Sequence, residues 1–433
     1  MKKNISILSL AAIIMIALLS QCKKEDTTGP VVKITSPNSG QSYHVGDTVF
    51  VIASISDETQ ITSVTVRLVN SNYISVGRDY SAPVPSNNSV INLHYVIDNL
   101  DLLTGNYYIA VIASDGHNDT KEFAPIHIIE IPKVRKGIFV LTAVDSSSFK
   151  ISSVDSFHIA HNVINVNGDY VASAIYSSNN ELFTVGSTTG ALNAFDLNDN
   201  SFLWTHPSTS TLIPTYRNLF LSDDLVYVSF YDGNIRAYDK SGAPKYMIQQ
   251  QGFFIPGVIL KTDQYVFSEL YYTSSHQNKI GAFYLVTGTE RQETLIDVNL
   301  KNIYSLDNYH LLLFGNDIVT GQGKIEIYDI TGNGTTQVHT IPTGNLQRVV
   351  QLDNYRYLIS HSGGIYLYDY SLNSLTPYVS GLPVYAIEYD DLNQEVFAAS
   401  GNQVHVYDFN SVAEKYIILT GDSAIDVRVL YTR

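Results

Sequence analysis

The sequence predicts an all-β protein, and three observations carry that reading. One short pattern, a β-run of alternating apolar residues that usually ends in an aromatic and an aspartate, occurs seven times. The copies begin at Phe149, Gly190, Gly233, Lys279, Gly323, Gly364 and Gln403 and end at Asp155, Asp196, Asp239, Tyr284, Asp329, Asp369 and Asp408. The terminal position recurs after 41, 43, 45, 45, 40 and 39 residues, and a period near 40 built only from short strands marks a β-propeller blade. Finally, residues 31–132 hold about seven short strand-like runs separated by turn residues, the pattern of a β-sandwich.

The N-terminus reads as a targeting segment. Lys2 and Lys3 precede an apolar run from Ile5 to Leu19, too short to span a bilayer comfortably as a permanent helix. The run ends in Leu19-Ser20-Gln21-Cys22, and Cys22 is the only cysteine in the chain. This resembles a bacterial lipoprotein signal, which implies removal of residues 1–21, acylation of Cys22 and anchoring in outer-membrane lipid. An ordinary secretory signal is the alternative, although acylation accounts for an otherwise free thiol in an exported protein. The polar stretch Lys23-Lys24-Glu25-Asp26-Thr27-Thr28-Gly29-Pro30 has nothing to bury, so residues 22–30 read as a flexible tether. Lysines and then acids after the cysteine also resemble the surface-export signal of some Gram-negative lipoproteins, which implies a protein facing the medium.

Removing residues 1–21 takes away Lys2 and Lys3 and moves the formal charge from −15 to −17. Such acidity excludes nucleic acid as a partner, because phosphate binding needs a basic surface. It also excludes adhesion to anionic headgroups, leaving acyl chains as the membrane link. With one cysteine no internal disulfide forms, so burial must hold the core, and the length permits that.

In residues 31–132 the expected strands are 31–36, 48–57, 61–69, 89–97, 105–114 and 122–131, with an extra one near 73–76. Turns fall at Pro37-Asn38-Ser39-Gly40, 83–88 and Asp115-Gly116-His117-Asn118. About seven strands in about 100 residues is the immunoglobulin-like pattern. Leu102-Leu103-Thr104-Gly105-Asn106-Tyr107 resembles the tyrosine corner of fibronectin-type domains, which implies a hydroxyl bonded back to nearby backbone. Such domains in bacterial surface proteins are mostly spacers or docking modules.

Pro132-Lys133-Val134-Arg135-Lys136 is the expected boundary, and residues 133–433 the propeller. Strands at 137–144, 148–155 and 157–162 open it part-way through a blade, and 424–431 is an orphan strand with no hairpin after it. Used as the innermost strand of the first blade, the orphan closes the ring and removes open sheet edges. The count is then seven; a misread irregular repeat makes it six or eight. The aromatic-aspartate endings resemble WD-repeat blades without their tryptophan. Ala194-Phe195-Asp196 with Trp204 resembles the quinoprotein blade motif without its threonine-glycine turn, and Trp204 is the only tryptophan. The resemblance implies a fold and no function.

The repeat aspartates sit where strands enter turns, where a carboxylate accepts backbone N–H groups two residues on. The aromatics Phe195, Tyr238, Phe283, Tyr328, Tyr368 and Tyr407 read as packing between blades. Asp196-Leu197-Asn198-Asp199-Asn200 and Asp329-Ile330-Thr331-Gly332-Asn333-Gly334 resemble the start of calcium loops, but Pro207 and Thr340 stand where the closing glutamate belongs. His158 and His161, three apart on an expected strand, point to opposite faces and hold no zinc. The adjacent cysteines and repeated tryptophans of quinone alcohol dehydrogenases are missing, so no cofactor is expected. Gly186-Ser187-Thr188-Thr189-Gly190 is not a nucleophile elbow, since its serine directly follows the glycine between two strands. Asp223-Asp224 and Glu388-Tyr389-Asp390-Asp391 read as solvated turns.

Loops remain. Two long ones, 271–278 and 316–322, belong to neighbouring blades and should share one face. Extra loop length with exposed aromatics marks a binding rim, with Tyr271, Tyr272, His276, Asn316 and Asp317 as candidate ligand contacts. Tyrosine, 31 in all, offers a rigid apolar face with a polar tip suited to sugar or protein. The expectation is a non-catalytic surface lipoprotein whose propeller binds a protein or glycan. Two alternatives stand beside it. One is an enzyme acting on polysaccharide or peptide, favoured by inward-facing acids and histidines on the innermost strands. The other is a periplasm-facing scaffold for outer-membrane protein assembly.

Overall fold

The computed structural model describes residues 28–433 apart from 59, 84–85, 250–253 and 343. Cys22 and the leader before it lie outside the described residues. The chain divides into two units between Pro132 and Lys133.

In the first unit, alternation along each strand sets the faces. Thr48–Ser56 buries Val49, Val51, Ala53 and Ile55 and turns the residues between them outward. Val64, Val66 and Leu68 face the same core, as do Ile109, Val111 and Ala113. Two sheets result. One has the order Val31–Ser36, Thr48–Ser56, Asn88–Val96. The other runs Gln41–His44, Asp119–Ile129, Gly105–Ser114, Ser63–Val69, Tyr80–Ala82. One apolar core is built from both, which makes the unit a β-sandwich. Tyr95, fully buried, accepts the Leu68 N–H at 3.2 Å and donates to the Arg78 carbonyl at 3.0 Å. The Tyr107 hydroxyl donates to the Leu103 carbonyl at 3.0 Å, the bond that a tyrosine corner makes.

Two strands differ from the sequence expectation. Gln41–His44 lies outside the expected strands, yet it pairs in parallel with the end of Asp119–Ile129. The short extra strand is Tyr80–Ala82, not 73–76, because Tyr73 adopts φ 61° in a tight turn closed by the Asn70 side chain.

In the second unit the described residues form seven four-stranded antiparallel sheets. In six of them spatial order follows chain order. In the other, Ser423–Tyr431 lies beside Arg135–Asp145, which continues to Ser148–Val154 and Ala160–Asn167. The first strands of the six regular sheets contact one another in sequence, and Ser423–Tyr431 touches both Ala386–Asp390 and Ala172–Tyr176. The arrangement is propeller-like, with these strands innermost. Phe195, Tyr238, Phe283, Tyr328, Tyr368 and Tyr407 are all buried, most in apolar clusters drawing on adjacent sheets. Burying each contributes about 1.5–3 kcal/mol.

The repeat aspartates close the outer hairpins. Asp239 accepts the N–H groups of Ser241 and Ala243 at 2.9 and 3.0 Å, and Asp329 those of Thr331 and Gly332, both at 2.8 Å. Asp408 accepts the Ser411 N–H at 2.8 Å. Where the repeat has Tyr284 instead, the turn closes through backbone, with the Tyr284 N–H donating to the Thr289 carbonyl at 2.9 Å. His158 departs from the strand expected for it. It lies in the turn before Ala160–Asn167, at φ 64°, and stacks on Tyr416, while His161 pairs with Asp155 at 2.8 Å.

Candidate functional site

Each innermost strand must present one face to its neighbours and one to the central channel. Five of the seven break their pairing register at a residue that lines the channel. Arg217 is the extra residue between Tyr216 and Asn218. Lys301 is extra between Leu300 and Asn302, Gln347 between Leu346 and Arg348, and Ile425 between Ala424 and Asp426. Gly257 and Val258 together oppose the single residue Glu269. A β-bulge leaves one residue outside the ladder and re-aims its side chain. All of these bulged residues line one cavity of about 810 Å³.

Two charged networks reach its wall, one through Arg348, Ser173 and Tyr170 and one through Arg217 and Glu269. Asp426, fully shielded from solvent, accepts Arg348 at 2.5 Å, Arg428 at 2.9 Å and Ser173 at 2.8 Å, and is bonded by Tyr170. Arg428 reaches on to Glu388 at 2.8 Å. In the second network Arg217 pairs with Glu269 at 2.8 Å and donates to the Ile255 carbonyl at 3.0 Å. The other Glu269 oxygen takes the Leu300 N–H at 2.8 Å. Gly257 makes room for this buried carboxylate, since a Cβ there would lie 2.1 Å from Glu269 Oε2. Burial pushes the Glu269 carboxyl above its ordinary range, against the pull of Arg217.

Burial pushes Glu388 further, to about 8, with the Asp426 and Asp390 charges adding to the rise and Arg348 opposing it. A carboxyl raised in the folded state favours folding most below its unfolded value and loses that contribution as pH climbs through about 8. Glu388→Gln, neutral at every pH, will therefore flatten the decline in stability between about pH 5 and 8. A tenfold change in proton affinity on folding is worth about 1.4 kcal/mol. Partial solvent access and the contact with Arg428 temper the whole, so we expect a gain of about 1–2 kcal/mol at pH 8.5 and none at pH 5. Calorimetric melting at the two pH values checks it; an equal change at both would refute the assignment.

Asp169, next to the wall residue Tyr170, holds a turn together. Its carboxylate accepts the N–H groups of Ser187, Thr188, Thr189 and Gly190 at 2.6–3.1 Å. Burial alone would raise this group, and the four amides outweigh it and bring it to about 2. The Gly-Ser-Thr-Thr-Gly segment is thus a carboxylate cradle. A Cβ at Gly190 would lie 2.1 Å from the Asp169 carbonyl oxygen.

The residues chosen from sequence fall into distinct places. Tyr271 and Tyr272 are not in a loop. They end the strand Tyr265–Tyr272 and pair with Asn278 and Gln277, because the aromatics extend the ladder and shorten the loop to 273–276. Tyr271 and His276 come together, hydroxyl to Nδ1 at 2.8 Å. The Arg217 guanidinium lies 5.5 Å from the Tyr271 ring centre, linking that rim to the cavity wall. Tyr272 packs on Phe254. Asn316 lines the cavity and clamps the next sheet, exchanging two bonds of 2.8 Å with the Leu346 backbone. Asp317 organises its own turn through the Val319 and Thr320 N–H groups.

Glu388 and Asp390 correct the expectation of a solvated turn. Asp390 is fully buried, held by Arg135 at 2.8 Å and Tyr431 at 2.9 Å. Only Asp391, paired with Lys133 at 2.6 Å, is exposed. Asp223 and Asp224 do form an exposed turn. Among the described residues the innermost strands carry the acids Glu388, Asp390 and Asp426 and no histidine, and guanidinium groups hold all three. Sequence reasoning missed Arg217, Lys301, Gln347 and Arg348 altogether.

Residues 30–111 match a family model described as a bacterial Ig domain. No curated protein matches the chain. Among solved structures, a quinoprotein alcohol dehydrogenase-like protein from Bacteroides thetaiotaomicron aligns over 94% of this chain and 100% of its own, with 13% identity and a TM-score of 0.48. A functionally unknown protein from Desulfotomaculum acetoxidans aligns over 67% of this chain and 98% of its own, with 12% identity and a TM-score of 0.49. The Pan2 WD40 domain from Neurospora crassa aligns over 55% and 75%, with 11% identity and a TM-score of 0.45.

Proposed function

We propose that this is a non-catalytic, lipid-anchored surface protein of the outer membrane that binds a glycan or protein partner. In this reading acyl chains on Cys22 hold it in the membrane and the immunoglobulin-like sandwich is a spacer. The second unit is a seven-bladed propeller, closed by the C-terminal strand, and it takes the partner at the channel mouth. The observation that carries the reading is the link from the exposed Tyr271–His276 pair through Arg217 into a polar cavity. A rigid ring beside a guanidinium at the edge of a concave site is the combination that grips sugars and peptide side chains. The acids on the innermost strands, Glu388, Asp390 and Asp426, are each held by a guanidinium, which favours binding over proton transfer.

A glycan and peptide array probed with the full chain in detergent micelles tests this. Selective binding that Tyr271→Ala and His276→Ala together reduce by about tenfold, a loss of about 1.4 kcal/mol, is the expected result. A shortened ligand recovered from the array would replace the binding reading with the enzyme one.

A further inference from the structure

The cavity wall is positively biased inside an acidic protein. Three cations, Arg217, Lys301 and Arg348, and one carboxylate, Glu269, line it. The whole chain, by contrast, has a formal charge of −15. Arg217 is committed to Glu269, and Arg348 to Asp426 behind the wall. Lys301 makes no such pair, although its charge acts on the Glu269 carboxyl from beyond ion-pair distance. It projects from its bulge, is exposed in the cavity and makes no ion pair with any described residue. Gln347, bulged on the next sheet, likewise has no side-chain hydrogen bond to a described residue.

Resting on the glycan arm of the reading above, we infer that the channel mouth binds an acidic sugar, a uronate whose carboxylate pairs with Lys301. One uncommitted ammonium matches a monoanion. A phosphate dianion would call for guanidinium forks or clustered backbone N–H groups, and the guanidiniums of the wall, Arg217 and Arg348, are already engaged by Glu269 and Asp426. Around Lys301 the wall is rich in amides, from Asn218, Asn299, Asn302 and Gln347. Amides both donate and accept, as sugar hydroxyls require. Tyr385, half exposed at the same cavity, offers a ring face to a pyranose. The volume lies within the range of about 300–1,000 Å³ usual for small-ligand pockets. Low-dielectric walls focus the field of an unpaired charge, so the bias acts at range and weakens with salt.

The test is titration calorimetry on the full chain in detergent micelles. The probes are digalacturonate, one of whose two uronate carboxylates would meet Lys301, its dimethyl ester (the same sugar without the charge), and inorganic phosphate. Digalacturonate will bind at least about tenfold more tightly than the ester. Lys301→Met will abolish that preference and Lys301→Arg will keep much of it, both with unchanged melting temperature because Lys301 is exposed. Digalacturonate binding that Lys301→Met leaves intact would place the carboxylate elsewhere and overturn the inference. Phosphate binding more tightly than digalacturonate would also overturn it. If neutral glycans bind on the array while digalacturonate does not, the inference falls and the glycan reading stands. If only peptides bind, both fall.

Discussion

A chain ended at Thr420 will lose the cooperative melting of its second unit and keep that of the first. The missing strand, Ser423–Tyr431, pairs with Arg135–Asp145 from Ser423 opposite Ala143 to Tyr431 opposite Arg135. It also touches the innermost strands on both sides. Val427, Val429 and Leu430 are each at most 5% exposed. Burying three such side chains contributes on the order of 5–8 kcal/mol, comparable to the whole stability of an ordinary domain. Cutting the strand away would also bare the edge of Arg135–Asp145 and remove the counter-charge of Arg348. Calorimetry on the two chains would show two transitions becoming one. A truncated chain that still gives both transitions, unshifted, would end the view that this strand closes the ring.

Asp426→Ala is the largest single-residue effect we expect. The side chain is fully buried and serves two guanidiniums, a serine and a tyrosine. Removing it leaves Arg348 and Arg428 sharing one partly shielded carboxyl, Glu388, which burial already disposes to hold its proton. Breaking one partner of a buried ion network costs about 3–5 kcal/mol. For a unit of this size that lowers the melting temperature by about 10 °C. Asp426→Asn keeps the volume and part of the hydrogen bonding, so its fall will be smaller. A drop of under about 3 °C for the alanine variant would mean that water replaces the carboxylate and that the network is solvated.

Much of the architecture was legible because it repeats. Aromatics buried between sheets and aspartates at hairpin turns recur at a fixed period, and local chemistry determines both. The channel was not legible, for two physical reasons. Its ion pairs are non-local: Asp426 meets Ser173 and Tyr170 from the far side of the unit's sequence, and Asp390 meets Arg135. No local pattern told a buried acid in Glu388-Tyr389-Asp390-Asp391 from a solvated one. The bulges, meanwhile, break the two-residue period on which strand reading depends. One signal was present all the same. Across four of the five bulges the buried apolar positions fall three apart instead of two: Tyr216 and Leu219, Leu300 and Ile303, Leu346 and Val349, Ala424 and Val427. The rim was half legible. Tyr271 and Tyr272 were expected in a loop and belong to the ladder, with Tyr271 lying beside Arg217 of the cavity wall. Asn316 and Asp317 have their hydrogen bonds taken by backbone.

The extra residue in five inner strands separates two demands that a closed sheet usually confounds. The residue on each bulge contributes no rung to the ladder, and Ile425 and Val258 among them pack into apolar clusters while Arg217, Lys301 and Gln347 line the cavity. Arginine, lysine, glutamine and isoleucine already occupy equivalent sites within one molecule. At Lys301 and Gln347, which hold no other described side chain in place, a lineage can therefore change the channel wall one codon at a time, while the scaffold that folds around it stays as it is.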